Sequence, residues 1–182
     1  MSIEDSIHQF LIEIGDDPNR EGLKNTPSRM IKTLRELTQG YKVSPEEVVE
    51  GAIFEVEYDE LVLIKDVEYY SLCEHHVIPF FGKCHVGYIP NGRVIGFSKI
   101  PRIIEVFSKR LQLQERMTED IANFILKTIE PQGVAVVVEG FHLCMAMRGV
   151  QKQDARMITS AMKGLFRRDP RSRAEFLQLI SR

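Results

Sequence analysis

Long apolar runs are missing from this chain. The longest, such as residues 134–138, extend over only a few positions, far short of the roughly 20 residues that a membrane-spanning helix needs. The opening Met1-Ser2-Ile3-Glu4-Asp5 is acidic and lacks the apolar core of a secretory signal. Cysteine is scarce, with three in 182 residues. An odd, small number argues against a disulfide framework and for reduced thiols in the cytoplasm, available to a metal. A large excess of one charge is also absent. The 24 basic and 26 acidic side chains leave a net −2, which gives no reason to expect nucleic acid as a partner. No repeat or low-complexity segment interrupts the chain. What remains is an ordinary soluble composition, 43% hydrophobic and 27% charged, long enough for one domain with a proper core.

The charge that is present is uneven. Residues 148–182 hold nine basic side chains against three acidic ones, so the C-terminal segment reads either as an anion-binding surface or as the solvated face of a terminal helix. At the other end, Ile3, Ile7, Leu11 and Ile14 recur at helical spacing. Thr26-Pro27 predicts an N-cap followed by proline at the first helical position, opening a helix through Met30, Ile31, Leu34 and Leu37. Ser44-Pro45-Glu46-Glu47 repeats the signal, with Glu47 placed for a capping box. The texture changes after Gly51. Residues 52–58 and 61–70 read as strands, and 82–90 and 93–97 flank Asn91-Gly92, a strong hairpin signal. Helices are expected from Pro101 to about Leu113 and from about Met117 to Pro131. Residues 133–147 read as one long strand, 157–163 as strand or helix, and Asp169-Pro170 as the cap of a last helix. The expectation is an α+β fold, an antiparallel sheet with two helices on one face. A helical arm, 1–50, precedes a body, 51–182, that carries the site.

The chemistry-bearing residues fall in two segments. Cys73-Glu74-His75-His76 supplies a Cys-x-x-His pair, and His142-Leu143-Cys144 supplies a thiol with a histidine two positions before it. Three metal ligands, Cys73, His76 and Cys144, with His75 and His142 to spare, suit a catalytic zinc site; a structural site wants a fourth ligand. On a strand, His142 and Cys144 point to the same face, so one can ligate while the other stands beside it. Only the fold can bring Cys73 and Cys144 together, and the competing reading is that both are small buried hydrophobes. Cys84 and His85 are weaker competitors as ligands. Between the two expected helices, Gln114-Glu115 offers a carboxylate that can accept two parallel N–H bonds from a guanine-like edge, or is a plain surface charge. Ser98, Lys99 and Arg102 stand at a helix start, where backbone amides favour anions. Arg148 follows the His142/Cys144 segment and Arg29 follows Thr26-Pro27. Arginine suits phosphate through its planar fork, although each of these cations alone reads as a surface residue.

Taken together, these motifs resemble GTP cyclohydrolase I. The resemblance runs from about Asp59 to the C-terminus and is carried by three stretches: Asp66-Val67-Glu68-Tyr69-Tyr70-Ser71-Leu72-Cys73-Glu74-His75-His76, Gln112-Leu113-Gln114-Glu115-Arg116, and His142-Leu143-Cys144 with Arg148-Gly149. Met117 and Cys84 depart from the usual residues of that family, away from the chemistry. The resemblance implies one zinc per subunit on Cys73, His76 and Cys144, and His142 as the general acid when water opens the imidazole ring of GTP. It implies that His75 assists later proton transfers, that Glu115 and Gln114 hold the guanine edge, that Ser98 lies near the ribose, and that Lys99, Arg102, Arg148 and Arg29 bind the triphosphate. It further implies the tunnelling fold and a homodecamer built as a dimer of pentamers. The product would be 7,8-dihydroneopterin triphosphate, with release of formate, in a pterin or folate route. Two other readings compete. One is a different tunnelling-fold pterin enzyme, which the two-thiol ligand set disfavours. The other is a zinc-stabilised binding module, which has no use for the idle histidines.

Overall fold

The computed structural model describes residues 1–182. The chain divides into two compact units, Met1–Gln39 and Gly40–Arg182. In the first, α1 (Ile3–Glu13) packs on α2 (Thr26–Leu37). α1 begins with a reciprocal cap: the Ser2 hydroxyl accepts from the Asp5 amide, and the Asp5 carboxylate accepts from the Ser2 amide. α2 starts one residue earlier than its proline suggests. Asn25 occupies the cap position and Thr26 is already helical, its hydroxyl donating back to Gly22 O.

The second unit opens within a 3₁₀ turn, Gln39–Tyr41. Its elements are α3 (Pro45–Val49), β1 (Ile53–Glu55), β2 (Val62–Cys73), β3 (Pro79–Ile89), β4 (Arg93–Ile95), α4 (Lys99–Ser108), β5 (Leu111–Gln112), α5 (Gln114–Ile129), β6 (Gly133–His142), α6 (Leu143–Ala146), β7 (Met157–Gly164), α7 (Leu165–Arg168) and α8 (Pro170–Ile180). α3 packs on α4. Ser44 caps α3 as expected, but its partner is Glu46 rather than Glu47.

Five strands form the main sheet in the order β5-β2-β3-β6-β7. All pairs are antiparallel except β2–β5, which runs parallel, so the sheet is mixed rather than purely antiparallel. The Val134–Val138 stretch of β6 explains why the core has two sides. Val134, Val136 and Val138 join α4 and α5 in the larger core with Ile100, Ile104, Ile121 and Ile125. Ala135 and Val137 point the other way, to Phe166 and Phe176. α4 and α5 thus cover one face as expected, while α7 and α8 cover part of the opposite one. Close approach there depends on Gly87, where a β-carbon would sit 2.7 Å from the Phe176 ring.

Two expectations fail for nonlocal reasons. Asn91-Gly92 makes a turn, but β4 does not pair with β3; it pairs with β1 in a separate two-stranded sheet. Both edges of β3 are already taken, by β2 and by β6; the Tyr88 hydroxyl of β3 bonds the backbone of Ile95 on β4. The long strand expected over 133–147 stops at His142. Its partner β3 begins at Pro79, which cannot donate to a ladder, and the chain winds into α6 instead.

Candidate active site

Cys73 is the last residue of β2, and a tight turn follows it. The Val77 amide donates to Cys73 O at 2.8 Å and the Cys73 amide to Ile78 O at 2.9 Å, with Val77 in the left-handed region at φ 54°. The turn is anchored to the neighbouring strand and to the helix beyond it. The Glu74 amide donates to Gln112 O of β5, and the Glu74 carboxylate pairs with Arg116 of α5, whose guanidinium also bonds the Gln112 side chain and Leu111 O. This geometry leaves Cys73 buried and turns His75 and His76 outward.

β6 delivers the second segment. Its register sets His142 opposite Phe80, and the two rings stack at 4.5 Å between centroids with 5° between planes. Two residues later, in α6, Cys144 reaches the first segment. The ligand atoms of Cys73, His76 and Cys144 all lie within 4.8 Å of one another, and Cys73 Sγ is 3.9 Å from His76 Nδ1. A tetrahedral ion with metal–sulfur bonds of about 2.3 Å spaces its donors roughly 3.5–3.8 Å apart, so two thiols and one imidazole fit such an ion with little movement. The Cys144 thiol is pushed up by burial and by the neighbouring Cys73 sulfur, with the Arg148 charge opposing in part.

A cavity of about 460 Å³ opens at the cluster. Cys73, His76 and Cys144 line it together with His75, Glu115 and His142. Burial holds the His142 imidazole below its ordinary value, opposed by the Glu115 carboxylate. Gln114 also borders the cavity, but it is 1% exposed and its Oε1 lies 2.8 Å from His142 Nε2. Seven of the residues picked from sequence therefore share one site. Ser98, the N-cap residue of α4, and Lys99 and Arg102 in its first turn do not line this cavity, and neither does Arg148. Arg29 stands exposed in the first turn of α2, within the N-terminal unit. His85 is buried on β3 with its Nδ1 accepting from the Asp66 amide, and Cys84 is sealed in the core; neither belongs to the cluster.

Several neighbours escaped sequence reasoning. Gly140 makes room for the Gln114 side chain, since a β-carbon there would sit 2.1 Å from Oε1. Its only signal was a glycine inside an apolar strand. Phe80 and Thr159 carry no signal at all, because their parts depend on sheet register, and Thr118 of α5 carries none because its part depends on Thr159. Met157, which opens β7, and Arg156 just before it also line the cavity.

The family model described as GTP cyclohydrolase I matches residues 3–181. The chain is 54% identical over 178 residues to "GTP cyclohydrolase 1" of Leptospira biflexa, covering 98% of this chain and 97% of that protein. It is 53% identical over 179 residues to the protein of that name from Chlorobaculum tepidum, covering 98% and 80%, and 54% identical over 180 residues to that of Methylococcus capsulatus, covering 99% and 97%. Among solved structures, that of archaeosine synthase QueF-Like in the apo form aligns with 57% of this chain and 93% of its own, at TM-score 0.46 and 21% identity. The chain belongs to the GTP cyclohydrolase I family.

Proposed function

We propose that this site hydrolyses and rearranges GTP to 7,8-dihydroneopterin triphosphate with release of formate. The observation that carries the reading is the convergence of Cys73, His76 and Cys144 at the cavity that also holds His75, Glu115 and His142, in a chain of this family. Cys73, His76 and Cys144 would hold one zinc ion, whose charge the two thiolates balance. Bound there, zinc supplies Lewis acidity and a water acidic enough to act near neutral pH.

The remaining steps fall to side chains. Glu115 accepts the two parallel N–H groups of the guanine edge, with Gln114 beside it. His142 delivers a proton to the imidazole nitrogen as the ring opens, and His75 moves protons in the later rearrangement. Ser98 faces the ribose, and Lys99, Arg102, Arg148 and Arg29 bind the triphosphate. The cations that do not line the cavity are consistent with sites completed by neighbouring subunits in a homodecamer, a dimer of pentamers of the tunnelling fold. The 1–50 arm and the 51–182 body act as one catalytic domain, in the cytoplasm, in a pterin or folate route. No helix is long and apolar enough to cross a membrane.

The test is formate release from GTP by the zinc-loaded protein, with metal analysis of Cys144→Ser alongside. Stoichiometric formate and zinc are expected from the wild type, and loss of both from the variant. A zinc-loaded protein that releases no formate would overturn the function. Full zinc retention in Cys144→Ser would remove that thiol from the ligand set.

A further inference from the structure

The Gln114 side chain is oriented by more partners than a substrate contact needs. Its Nε2 lies 3.0 Å from Val138 O, 3.1 Å from Met157 O and 3.1 Å from Thr159 Oγ1. Two of these are backbone carbonyls, which only accept, so the amide nitrogen must face them. The threonines agree. The Thr118 hydroxyl donates to Gln114 O at 2.7 Å, so its contact with Thr159, at 2.6 Å, requires the Thr159 hydroxyl to donate. Thr159 Oγ1 is left to accept from Gln114. With both amide protons committed, Oε1 points at His142 Nε2, 2.8 Å away. An amide oxygen can only accept, so that nitrogen must carry a proton. His142 Nδ1 has no hydrogen-bond partner in the protein, and it is not among the buried atoms that lack one; it is open to the cavity or to solvent. Phe80 fixes the ring plane, and the bare α-carbon of Gly140 leaves the space that the Gln114 carbonyl fills.

We propose that Gln114 is a positioning residue whose side-chain carbonyl locks the proton on His142 Nε2, leaving Nδ1 as the nitrogen that takes a proton from the attacking water and hands it to the ring nitrogen of the substrate. This deepens the reading of His142 as the general acid and rests on it. It gives Gln114 a different part from gripping the purine edge, for which its amide has no proton left.

The tautomer can be read directly. The protein has five histidines, so magic-angle-spinning NMR of the zinc-loaded chain labelled with ¹³C,¹⁵N-histidine can resolve His142, assigned by its loss in His142→Gln. At pH 8 the wild type should show the Nε2–H form alone. Gln114→Met, which removes the acceptor, and Gly140→Ala, which displaces it, should each give a mixture of tautomers with zinc retained. In formate release, both variants should lose about 10- to 100-fold in kcat while the KM for GTP stays within about threefold. A wild-type Nδ1–H form would overturn the proposal by itself, even if a variant failed to fold. So would unchanged tautomers in both variants, or a raised KM at unchanged kcat, which would mark Gln114 as a substrate grip. A wild type that releases no formate would sink the proposed function while leaving the tautomer result to be judged alone.

Discussion

His142 is held on three sides: a ring face against Phe80, Nε2 against Gln114, and a backbone pinned at the end of β6. Its environment keeps it neutral near pH 7, because burial penalises the imidazolium more than Glu115 favours it. A neutral resting imidazole in a fixed orientation suits a group that must take up a proton and pass it on. His142→Ala should therefore keep its zinc and still bind GTP, yet lose at least about 100-fold in formate release, the usual loss on removing a general acid. Turnover near the wild-type rate would reduce His142 to a packing residue. Cys73 and His76 were visible from spacing alone, because a Cys-x-x-His turn is local. In the sequence, Cys144 and His142 read as a pair pointing to one face of a strand. The structure corrects this: His142 ends β6 and Cys144 projects from the helical turn after it, and both line the cavity.

At the scale of elements, what could be read in advance was what neighbours along the chain decide. Asp169 caps α8 through the amides of Arg171 and Ser172, as its place before Pro170 announces. The β4 pairing could not be read, since it depends on which edges of β3 are already occupied, nor could β5, a two-residue strand. The bulge in β2 was equally hidden. Between Ile64 and Val67 the register slips, Asp66 takes φ 60°, and its amide donates to His85 Nδ1 at 3.2 Å. The His85 ring is 2% exposed and its Nε2 has no partner, with the Glu139 carboxylate 3.7 Å away. Burial holds this imidazole below its ordinary value, outweighing Glu139 and Asp66, while Lys83 and Lys65 act in the same direction as burial. The unfolded chain then binds the proton at higher pH than the folded one. The stability contributed by a neutral His85 is complete above about pH 6.5 and is lost as pH falls toward the folded value. Thermal melts should show wild type more stable than His85→Gln at pH 7, with the gap narrowing by pH 5. A gap that stays constant would mean that His85 does not titrate against folding in this range.

For the whole molecule, the group Cys73, His76 and Cys144, which could hold a metal ion, is a long-range junction. It joins the β2–β3 turn to the β6–α6 junction, segments that only the assembled sheet brings within 4.8 Å. The residue types offer Cys73 and Cys144 as ligands, but nothing local links them, and only the fold brings them together. An ion that binds the folded chain in preference to the unfolded one stabilises it by mass action, so chelation should lower the melting temperature. It should also expose a chemical weakness. Two sulfurs released from a shared ion need a modest shift to reach the roughly 2.05 Å of a disulfide, and thiolates freed from a cation are good nucleophiles. In air, the two thiols would lose two protons and two electrons to dioxygen and form a Cys73–Cys144 bond. Added zinc alone should then fail to restore activity until a reductant reopens the pair. Cys84 should stay out of this exchange. It is 0% exposed, and burial pushes its thiol far above the ordinary range, so it should be alkylated only after unfolding. Peptide mapping of alkylated, denatured protein decides the matter. Immediate recovery on zinc alone would show that the thiols stay reduced, and a map linking Cys84 to either of the other two would show that the ligand set is wrong.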